Sequence, residues 1–281
     1  MLKFKWVLLV NDVFPENLVP AKLISKSSFV YKITKRMFDG AYSRADKIIV
    51  IGRDMQQLVN EKTGGKVPIE YIPNWIDLLD INSRQATSAY QQSANVCDGK
   101  VIFQFFGNMG GVQGLDIILD AISGTKCRNA KFRFIGGGTG VRLLEQYIRD
   151  NPRVDIELLP PVSFNDNMTV LSDCDVALVS LAPGMNGLAV PSKAYFSLAA
   201  DKPILVIGET GAELELLIND NPGIGWFCDC HDRLMISKKI DEISELDFSE
   251  LEGGPKGVIE NLYGYQAACD RYVRIIEEMI N

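Results

Sequence analysis

The sequence predicts an α/β protein built on parallel sheets that helices cover on both faces. Nine apolar runs of strand length recur along the 281 residues, and Gly, Asn or Asp and then a helical pattern follow each run. Near-continuous apolar strands that alternate with helices are typical of doubly wound sheets, because both faces of each strand are buried. Apolar residues make up 47% and charged residues 23% of the chain, which excludes disordered and fibrous proteins.

The strands and helices can be placed along the chain from these patterns. Strands are predicted at 5–10, 47–51, 68–72, 101–106, 131–135, 154–159, 175–180, 203–207 and 223–227. Helices are predicted at 53–61, 114–123, 140–150, 166–172, 192–200, 210–218, 233–243 and 257–280. The apolar part of the first run is short and no small-residue cleavage site follows it, which favours a buried strand over a signal peptide.

The strands fall into two groups that a polar stretch separates. Residues 78–99 are aperiodic and rich in Ser, Gln and Asn, and we interpret them as a linker. Residues 1–77 then form a partial N-terminal domain, and residues 100–281 form a C-terminal domain whose six strands suffice for a Rossmann-like sheet. We expect roughly 80–120 residues of the first domain to be missing, and a partner chain or self-association to cover its open edge.

Charge, histidine and cysteine content exclude several classes of function. The net charge of -7 argues against a nucleic-acid-binding protein. The single histidine, His231, excludes a Ser-His-Asp triad and a multi-histidine metal site. Six scattered cysteines indicate reduced thiols and a cytoplasmic location. Cys228 and Cys230 are too close together for the usual zinc spacing, so we expect no metal there.

A basic amphipathic stretch lies at residues 22–43. Residues 1–50 hold nine Lys or Arg against four acids, and within 22–43 apolar residues interleave with the cations at spacings near three and four. Such a stretch can lie on an anionic membrane surface. The alternative is a helix with a solvated face over a core, and both interpretations stay open.

Ligands of doubly wound sheets bind beyond the carboxyl ends of the strands, where a glycine-rich loop follows the strand at 101–106. Glycines at such a turn let backbone N–H groups approach a phosphate, and the following helix N-terminus adds partial positive charge. The loop fits neither a Walker motif nor the dinucleotide fingerprint, and a plain tight turn is the alternative. The candidate ligand-binding residues here are Gly107, Asn108, Gly110 and Gln113.

Two further elements point to the same edge of the sheet. Gly136 and Gly138 follow the strand at 131–135, and Ser192 and Lys193 open the helix at 192–200. A lysine in the first turn is unfavourable beside the positive end of the helix dipole. A bound diphosphate that contacts both the helix N-terminus and Lys193 would explain its place there. An exposed lysine on a helix start is the alternative.

Read in order, the landmarks of the chain resemble those of family-4 glycosyltransferases of the GT-B fold, and most of all the bacterial enzymes that assemble O-antigen and capsule. The resemblance covers nearly the whole chain. It rests on Val7 to Asp12 with Phe14-Pro15-Glu16, Ala45 to Val50, Tyr71 to Asp77, Phe106 to Gly110, Val190 to Lys193, and Ala199 to Pro203.

This resemblance implies a retaining, metal-independent transfer of a sugar from a nucleotide donor, usually UDP-linked. The acceptor in such enzymes is often a polyprenyl-diphosphate sugar at the inner face of the plasma membrane, which would give the stretch 22–43 a purpose. The loop 107–114 and Lys193 would contact the diphosphate, and Pro161 and Val162 would lie near the base. Catalysis would be mainly electrostatic, with no carboxylate pair of the hydrolase kind.

Several positions depart from the family pattern. Leu188 and Phe196 stand where two glutamates are usual, Gln113 replaces a basic residue, and Asp201 replaces a glycine and must adopt a left-handed backbone. Asp12 or Asn11 stands at the position of a frequent histidine, and Asp12 is the candidate catalytic residue.

These departures leave two main functional hypotheses open. The first is an active glycosyltransferase. The second is an inactive or split-chain subunit that binds a nucleotide sugar and needs a partner for its N-terminal domain. A dehydrogenase is a distant third, because its fingerprint should follow the first strand, where residues 11–14 carry no glycine.

Overall fold

The computed structural model describes residues 4–77, 99–163, 166–248 and 254–280, and it shows two parallel sheets with helices packed against them. The first sheet has the order β1-β2-β3. Its elements are β1 (Val7–Val10), α1 (Phe29–Tyr42), β2 (Lys47–Val50), α2 (Arg53–Thr63) and β3 (Ile69–Tyr71). The predicted linker lies outside the described residues apart from its last residue, Gly99.

The second sheet has six strands in the order β6-β5-β4-β7-β8-β9, all parallel. This is a doubly wound order in which the strand order reverses between β4 and β7 while all strands stay parallel. The strands are β4 (Val101–Asn108), β5 (Ala130–Gly137), β6 (Ile156–Leu159), β7 (Val176–Ser180), β8 (Ile204–Gly208) and β9 (Gly225–Asp229). The helices are α3 (Leu115–Gly124), α4 (Val141–Asp150), α5 (Asn167–Ser172), α6 (Lys193–Ala199), α7 (Glu213–Asp220) and α8 (Arg233–Ile243).

All nine predicted strands are confirmed, and the α/β class with them. The apolar runs form strands because both of their faces are covered. In the second sheet Phe103 stacks on Phe132 with ring centroids 5.5 Å apart, and Phe105 stacks on Phe134 at 5.9 Å. All four rings are buried, and each contributes about 2 kcal/mol of hydrophobic stabilisation. None of the helices in the described ranges has the length and apolarity needed to cross a bilayer.

The C-terminal region differs from the single helix predicted at 257–280. It forms two helices, α9 (Gly254–Leu262) and α10 (Tyr265–Ile280). The helix breaks because its backbone pairs with another segment: Ile76 N donates to Tyr263 O at 3.0 Å, and Tyr265 N donates to Ile76 O at 3.1 Å. The break redirects α10, which lies in the range predicted for the C-terminal domain but packs on the first sheet.

Asp201 has the left-handed backbone that the sequence predicts, with φ of 59°. An aspartate tolerates this conformation better than most residues because its short side chain can hydrogen-bond locally. Here Asp201 Oδ1 accepts a hydrogen bond from Lys256 N at 3.0 Å. The turn after α6 is thereby joined to the start of α9.

A buried carboxylate joins the two parts of the chain. Glu213, at the start of α7, is 1% exposed. It accepts hydrogen bonds from Arg53 N at 2.7 Å, Arg53 Nε at 3.0 Å, Arg53 Nη2 at 3.1 Å and Tyr71 Oη at 2.7 Å. Arg53 and Tyr71 belong to the first sheet and its helix, whereas Glu213 belongs to the second. The contact therefore fixes how the two sheets meet.

Replacing Arg53 by methionine tests this contact. Arg53→Met leaves the Glu213 carboxylate buried without its cation, and we expect the free energy of unfolding to fall by about 3 kcal/mol in urea denaturation. The matched control is Arg233→Met, which removes the partner of Asp120 from an exposed ion pair and should change that free energy by less than about 1 kcal/mol. Equal effects of the two substitutions would contradict a special role for Glu213.

Candidate functional site

The two glycine-rich turns lie side by side, as their places after neighbouring strands predict. The pairing of β4 with β5 continues into the turns, where Gly107 aligns with Gly136 and Asn108 with Gly137. Beyond the strands, Met109 N donates to Gly137 O at 2.7 Å. The loop after β4 thus rests directly on the loop after β5.

This close approach explains two of the glycines. Gly136 has φ of 142°, and a Cβ placed on it would lie 1.9 Å from Gly107 O. Gly138 has φ of 130°, and its Cβ would lie 2.5 Å from Asn108 Oδ1. Any side chain would separate the turns. Both glycines therefore serve the contact between the two loops.

A cavity of about 290 Å³ opens at the carboxyl ends of these strands. Its volume is close to the roughly 300 Å³ lower end for small-molecule sites. Five sequence-predicted residues line it together: Gly107, Asn108, Gln113, Ser192 and Lys193. The other residues of its lining are Phe106, Asn167, Leu171, Pro191 and Phe196.

The remaining predicted residues do not line the cavity. Pro161 packs behind it, with Cγ 3.4 Å from where a Cβ on Gly137 would lie. Val162 packs against a small buried apolar cluster that contains Ile135. The others are Gly110, Gly136, Gly138 and Asp12.

Lys193 is the most unusual group in the cavity. Its Nζ is buried and finds no hydrogen-bond partner among the described residues, and it lies 3.7 Å from the centroid of the Phe105 ring. Burial among apolar groups lowers the pKa of Lys193 to about 7. The amide oxygen Oε1 of Gln113 is likewise buried without a partner in the described structure. Burying a cation without an acceptor costs free energy, and an anionic ligand bound here would offset that cost.

The loop between β7 and α6 brings Pro191 to the cavity and ends at Lys193, the first residue of α6, and contacts from both parts of the chain hold this loop. Within the part of the chain that forms the second sheet, Ala182 of this loop donates its N–H to the carbonyl oxygen of Val112, in the turn after β4, at 2.8 Å. From the part that forms the first sheet, Asp54 Oδ2 accepts from Gly187 N at 3.1 Å. The position of Lys193 thus depends on the junction between the two sheets.

Asp12 approaches the same loop from the first sheet. Its backbone forms an antiparallel bridge with Ala189, and the next residue, Val13, donates its N–H to Leu188 O at 2.8 Å. Burial raises the pKa of the Asp12 carboxyl, and a hydrogen bond with Asn17 partly offsets this. Asp12 therefore pairs with Ala189, which lies two positions before Pro191 of the cavity lining.

Five lining residues are not among the predicted site residues, and two of them, Pro191 and Phe196, flank the predicted Ser192 and Lys193 on the same segment. Phe106 is the last residue of a predicted strand, and the rule that ligands bind at carboxyl ends could have identified it. Asn167 and Leu171 lie on α5, which enters the cavity wall only because of the path the chain takes from β6 to β7. No local sequence signal distinguishes them.

Asp229, Cys230 and His231 form a second cluster, with potential ligand atoms within 4.8 Å of one another. The Asp229 carboxylate is already engaged: it accepts from His231 N at 2.8 Å and from Thr210 Oγ1 at 2.9 Å. These hydrogen bonds, above all that from His231 N, lower the pKa of Asp229 to about 2. The carboxylate thus stabilises the turn after β9, and the absence of a metal stays a prediction.

Comparison with known proteins identifies the family. No protein-family model matches the chain. It is 41% identical over 280 residues to the probable glycosyltransferase WbjE of Pseudomonas aeruginosa, covering 100% of this chain and 70% of that protein. It is 25% identical over 181 residues to the putative colanic acid biosynthesis glycosyl transferase WcaI of Escherichia coli K12, covering 64% of this chain and 44% of that one.

Among solved structures, Anabaena HepE in complex with UDP-glucose superposes with a TM-score of 0.72 at 13% identity. The match covers 98% of this chain and 72% of HepE. The superposition supports the fold, and the identity to WbjE over the whole chain supports the relationship. The chain therefore belongs to the family-4 glycosyltransferases of the GT-B fold, and it is a glycosyltransferase of cell-surface glycan biosynthesis.

Proposed function

We propose that the chain transfers a sugar, with retention of configuration and without a metal, from a UDP-sugar to a lipid-linked or polysaccharide acceptor. The transfer takes place in the cytoplasm, at the inner face of the plasma membrane. The observation that carries this proposal is the buried ammonium of Lys193, which has no hydrogen-bond partner among the described residues and lies at a cavity at the carboxyl ends of a doubly wound sheet.

The diphosphate of the donor is the ligand that this ammonium fits. Gly107 and Asn108 bring main chain to the cavity beside it, and the loop 107–114 leads directly into α3. Because the surroundings of Lys193 are apolar, its attraction for an anion is much stronger than in water. Negative charge grows on the diphosphate as the sugar bond breaks, so Lys193 stabilises the transition state more than the bound donor.

The uridine and ribose would lie against the apolar side of the cavity. Phe196 and Leu171 form this wall together with Phe106. The UDP-glucose bound to HepE, a protein of the same fold, supports a UDP-linked donor. With Phe196 in the place of a carboxylate and Gln113 in the place of a cation, nucleotide affinity depends on Lys193 and on apolar contact.

In the proposed reaction the acceptor approaches from the side of the first sheet. The acceptor hydroxyl oxygen forms a bond to the anomeric carbon, the bond from that carbon to the diphosphate breaks, and the hydroxyl proton passes to the departing diphosphate. Asp12 lies on the acceptor side of the loop 181–190, and its carboxylate would orient the acceptor hydroxyl.

A second candidate function is a subunit that binds the nucleotide sugar and requires a partner chain for transfer. The neutral Gln113 and the apolar Phe196 favour it, because they weaken contacts to phosphate and ribose. The two candidates differ in one outcome: the subunit would bind UDP-glucose but transfer no glucose to any acceptor by itself.

Substitution of Lys193 tests the donor site. We expect calorimetry to show UDP-glucose binding, and Lys193→Ala to weaken it by about tenfold or more, because a charge-assisted contact to the diphosphate is lost. Lys126→Ala is the matched control, since Lys126 is exposed and precedes β5 at the opposite edge of the sheet. No binding by the wild-type chain, or unchanged binding by Lys193→Ala, would refute the site.

The same lysine should reduce the stability of the ligand-free chain. Because its pKa is about 7 when folded and about 10.4 when unfolded, the penalty is complete below pH 7 and fades as the pH rises toward 10. Lys193→Met should therefore raise the free energy of unfolding at pH 7 by on the order of 4 kcal/mol. Urea denaturation measures this, and a less stable variant would show that the ammonium has a protein partner.

Donor binding should depend on pH in the opposite sense to stability. Binding of a diphosphate raises the pKa of Lys193, so a proton is taken up with the donor at pH values above about 7. UDP-glucose affinity should be constant below pH 7 and fall by up to about tenfold per pH unit above it. Calorimetry at pH 8 in two buffers of different ionisation enthalpy measures the proton uptake; no uptake would contradict the lowered pKa.

A further inference from the structure

Helix α1 turns a side made of tyrosines and charged residues toward the rest of the chain and exposes its most apolar side. Tyr31, Lys35, Asp39 and Tyr42 recur at spacings of three and four along the helix and face the rest of the chain. Most surface helices do the reverse, with the apolar stripe toward the core. The alternative of a helix with a solvated face over a core stays a prediction, since Tyr42 lies in the main core cluster.

A cluster of charges holds the polar side inward. Lys62 Nζ, on α2, contacts Glu16 Oε2 at 2.8 Å and Asp39 Oδ1 at 2.6 Å. Lys35 Nζ contacts the same two carboxylates at 2.9 Å and 2.8 Å. Two cations and two carboxylates thus satisfy one another beneath α1. This cluster fixes the rotation of the helix about its own axis.

The outward side of α1 is a continuous apolar stripe. Phe29 is 76% exposed and Met37 68% exposed, and Val30 and Ile33 lie between them on the same face. Leu23 extends the stripe into the turn before the helix. Large apolar side chains exposed together mark an interaction surface.

Cations border this stripe, and no acid accompanies them. Lys22, Lys26, Lys32 and Arg36 are all exposed. The segment 22–38 contains no Asp or Glu, although the whole chain has a net charge of -7. The surface therefore combines large exposed apolar side chains with flanking positive charge.

We propose that α1 and the turn before it lie on an anionic lipid bilayer, with the stripe among the acyl chains and the cations against the headgroups. This combination is what an interfacial helix presents to a membrane. A nucleic acid would use the cations but leave the apolar stripe in water. A second copy of the chain would bring the four cations of one surface against those of another.

The same surface lies beside the candidate site, so the inference rests in part on the proposed function. Ala21 O, in the segment that leads to the stripe, lies 3.6 Å from where a Cβ on Gly111 would lie. The neighbouring Pro20 Cβ lies 3.6 Å from the corresponding position on Gly184. Gly111 belongs to the loop 107–114, and Gly184 to the loop that leads to Lys193. Docking of α1 would therefore hold the cavity close to the headgroup layer, where a lipid-linked acceptor presents its sugar.

The test is flotation of the purified chain with vesicles of equal parts phosphatidylethanolamine and phosphatidylglycerol, and with pure phosphatidylcholine vesicles. We expect binding to the anionic vesicles only. The double substitution Ile33→Glu/Met37→Glu should abolish it, whereas Leu234→Glu, at an 83% exposed leucine on α8, should not. Lys32→Gln and Arg36→Gln should each weaken binding by about fivefold, with Lys238→Gln on α8 as the control.

Several results would overturn the proposal. These are no vesicle binding, equal binding to both vesicle types, or binding that the α1 substitutions leave intact. A dimer that Ile33→Glu/Met37→Glu dissociates, without vesicle binding, would assign the stripe to a second copy. Duplex RNA binding that Lys32→Gln weakens, without vesicle binding, would assign the surface to nucleic acid.

Calorimetry with UDP-glucose on the same variants separates this inference from the proposed function. The α1 variants should keep donor binding, and Lys193→Ala should keep vesicle binding. Failure of vesicle binding with intact donor binding would overturn the membrane surface alone. Failure of donor binding with intact vesicle binding would overturn the donor site alone.

Discussion

The buried carboxylate of Glu213 is the contact on which the geometry of the site depends. Arg53 and Tyr71 reach it from the first sheet, and it accepts four hydrogen bonds from them. A buried charge is tolerated only when its partners satisfy it, so the two sheets can meet in few other ways. The residue after Arg53, Asp54, holds the loop that leads to Lys193. A contact at the junction thus determines where the cation of the cavity lies.

The cavity contains one group that destabilises the ligand-free chain, although the sheet around it is well packed. The packing of Gly136 against Gly107 and the stacking of Phe105 on Phe134 satisfy every expectation for a stable parallel sheet. Lys193 does not, because its ammonium is buried over the Phe105 ring with no acceptor from the described chain. The rest of the sheet tolerates this unfavourable group, which is expected of a binding site rather than of a structural position.

The sequence predicts the sheets well because their signal is local. Runs such as the one that forms β4 are apolar along their whole length, and the rule for carboxyl ends then brings Gly107 and Lys193 to one site. The rotation of α1 is not local: it depends on Glu16 and Lys62, which are 46 residues apart in sequence. The helix break at Gly264 likewise depends on Ile76. Periodicity predicts that a helix exists, but contacts distant in sequence determine which side it buries.

In the proposed function, weak donor contacts and the proposed membrane surface of α1 would complement one another. Lys193 is the only cation in the lining of the described cavity, so in the proposed reaction one charge would hold the diphosphate and release it readily after transfer. An enzyme in solution with modest donor affinity would also need strong acceptor contacts. A chain held on the bilayer by α1 meets a lipid-linked acceptor at high effective concentration, because both are confined to the same surface. Membrane docking through the apolar stripe of α1 would therefore raise the rate at which the chain meets its acceptor, so the cavity would not need tight acceptor contacts.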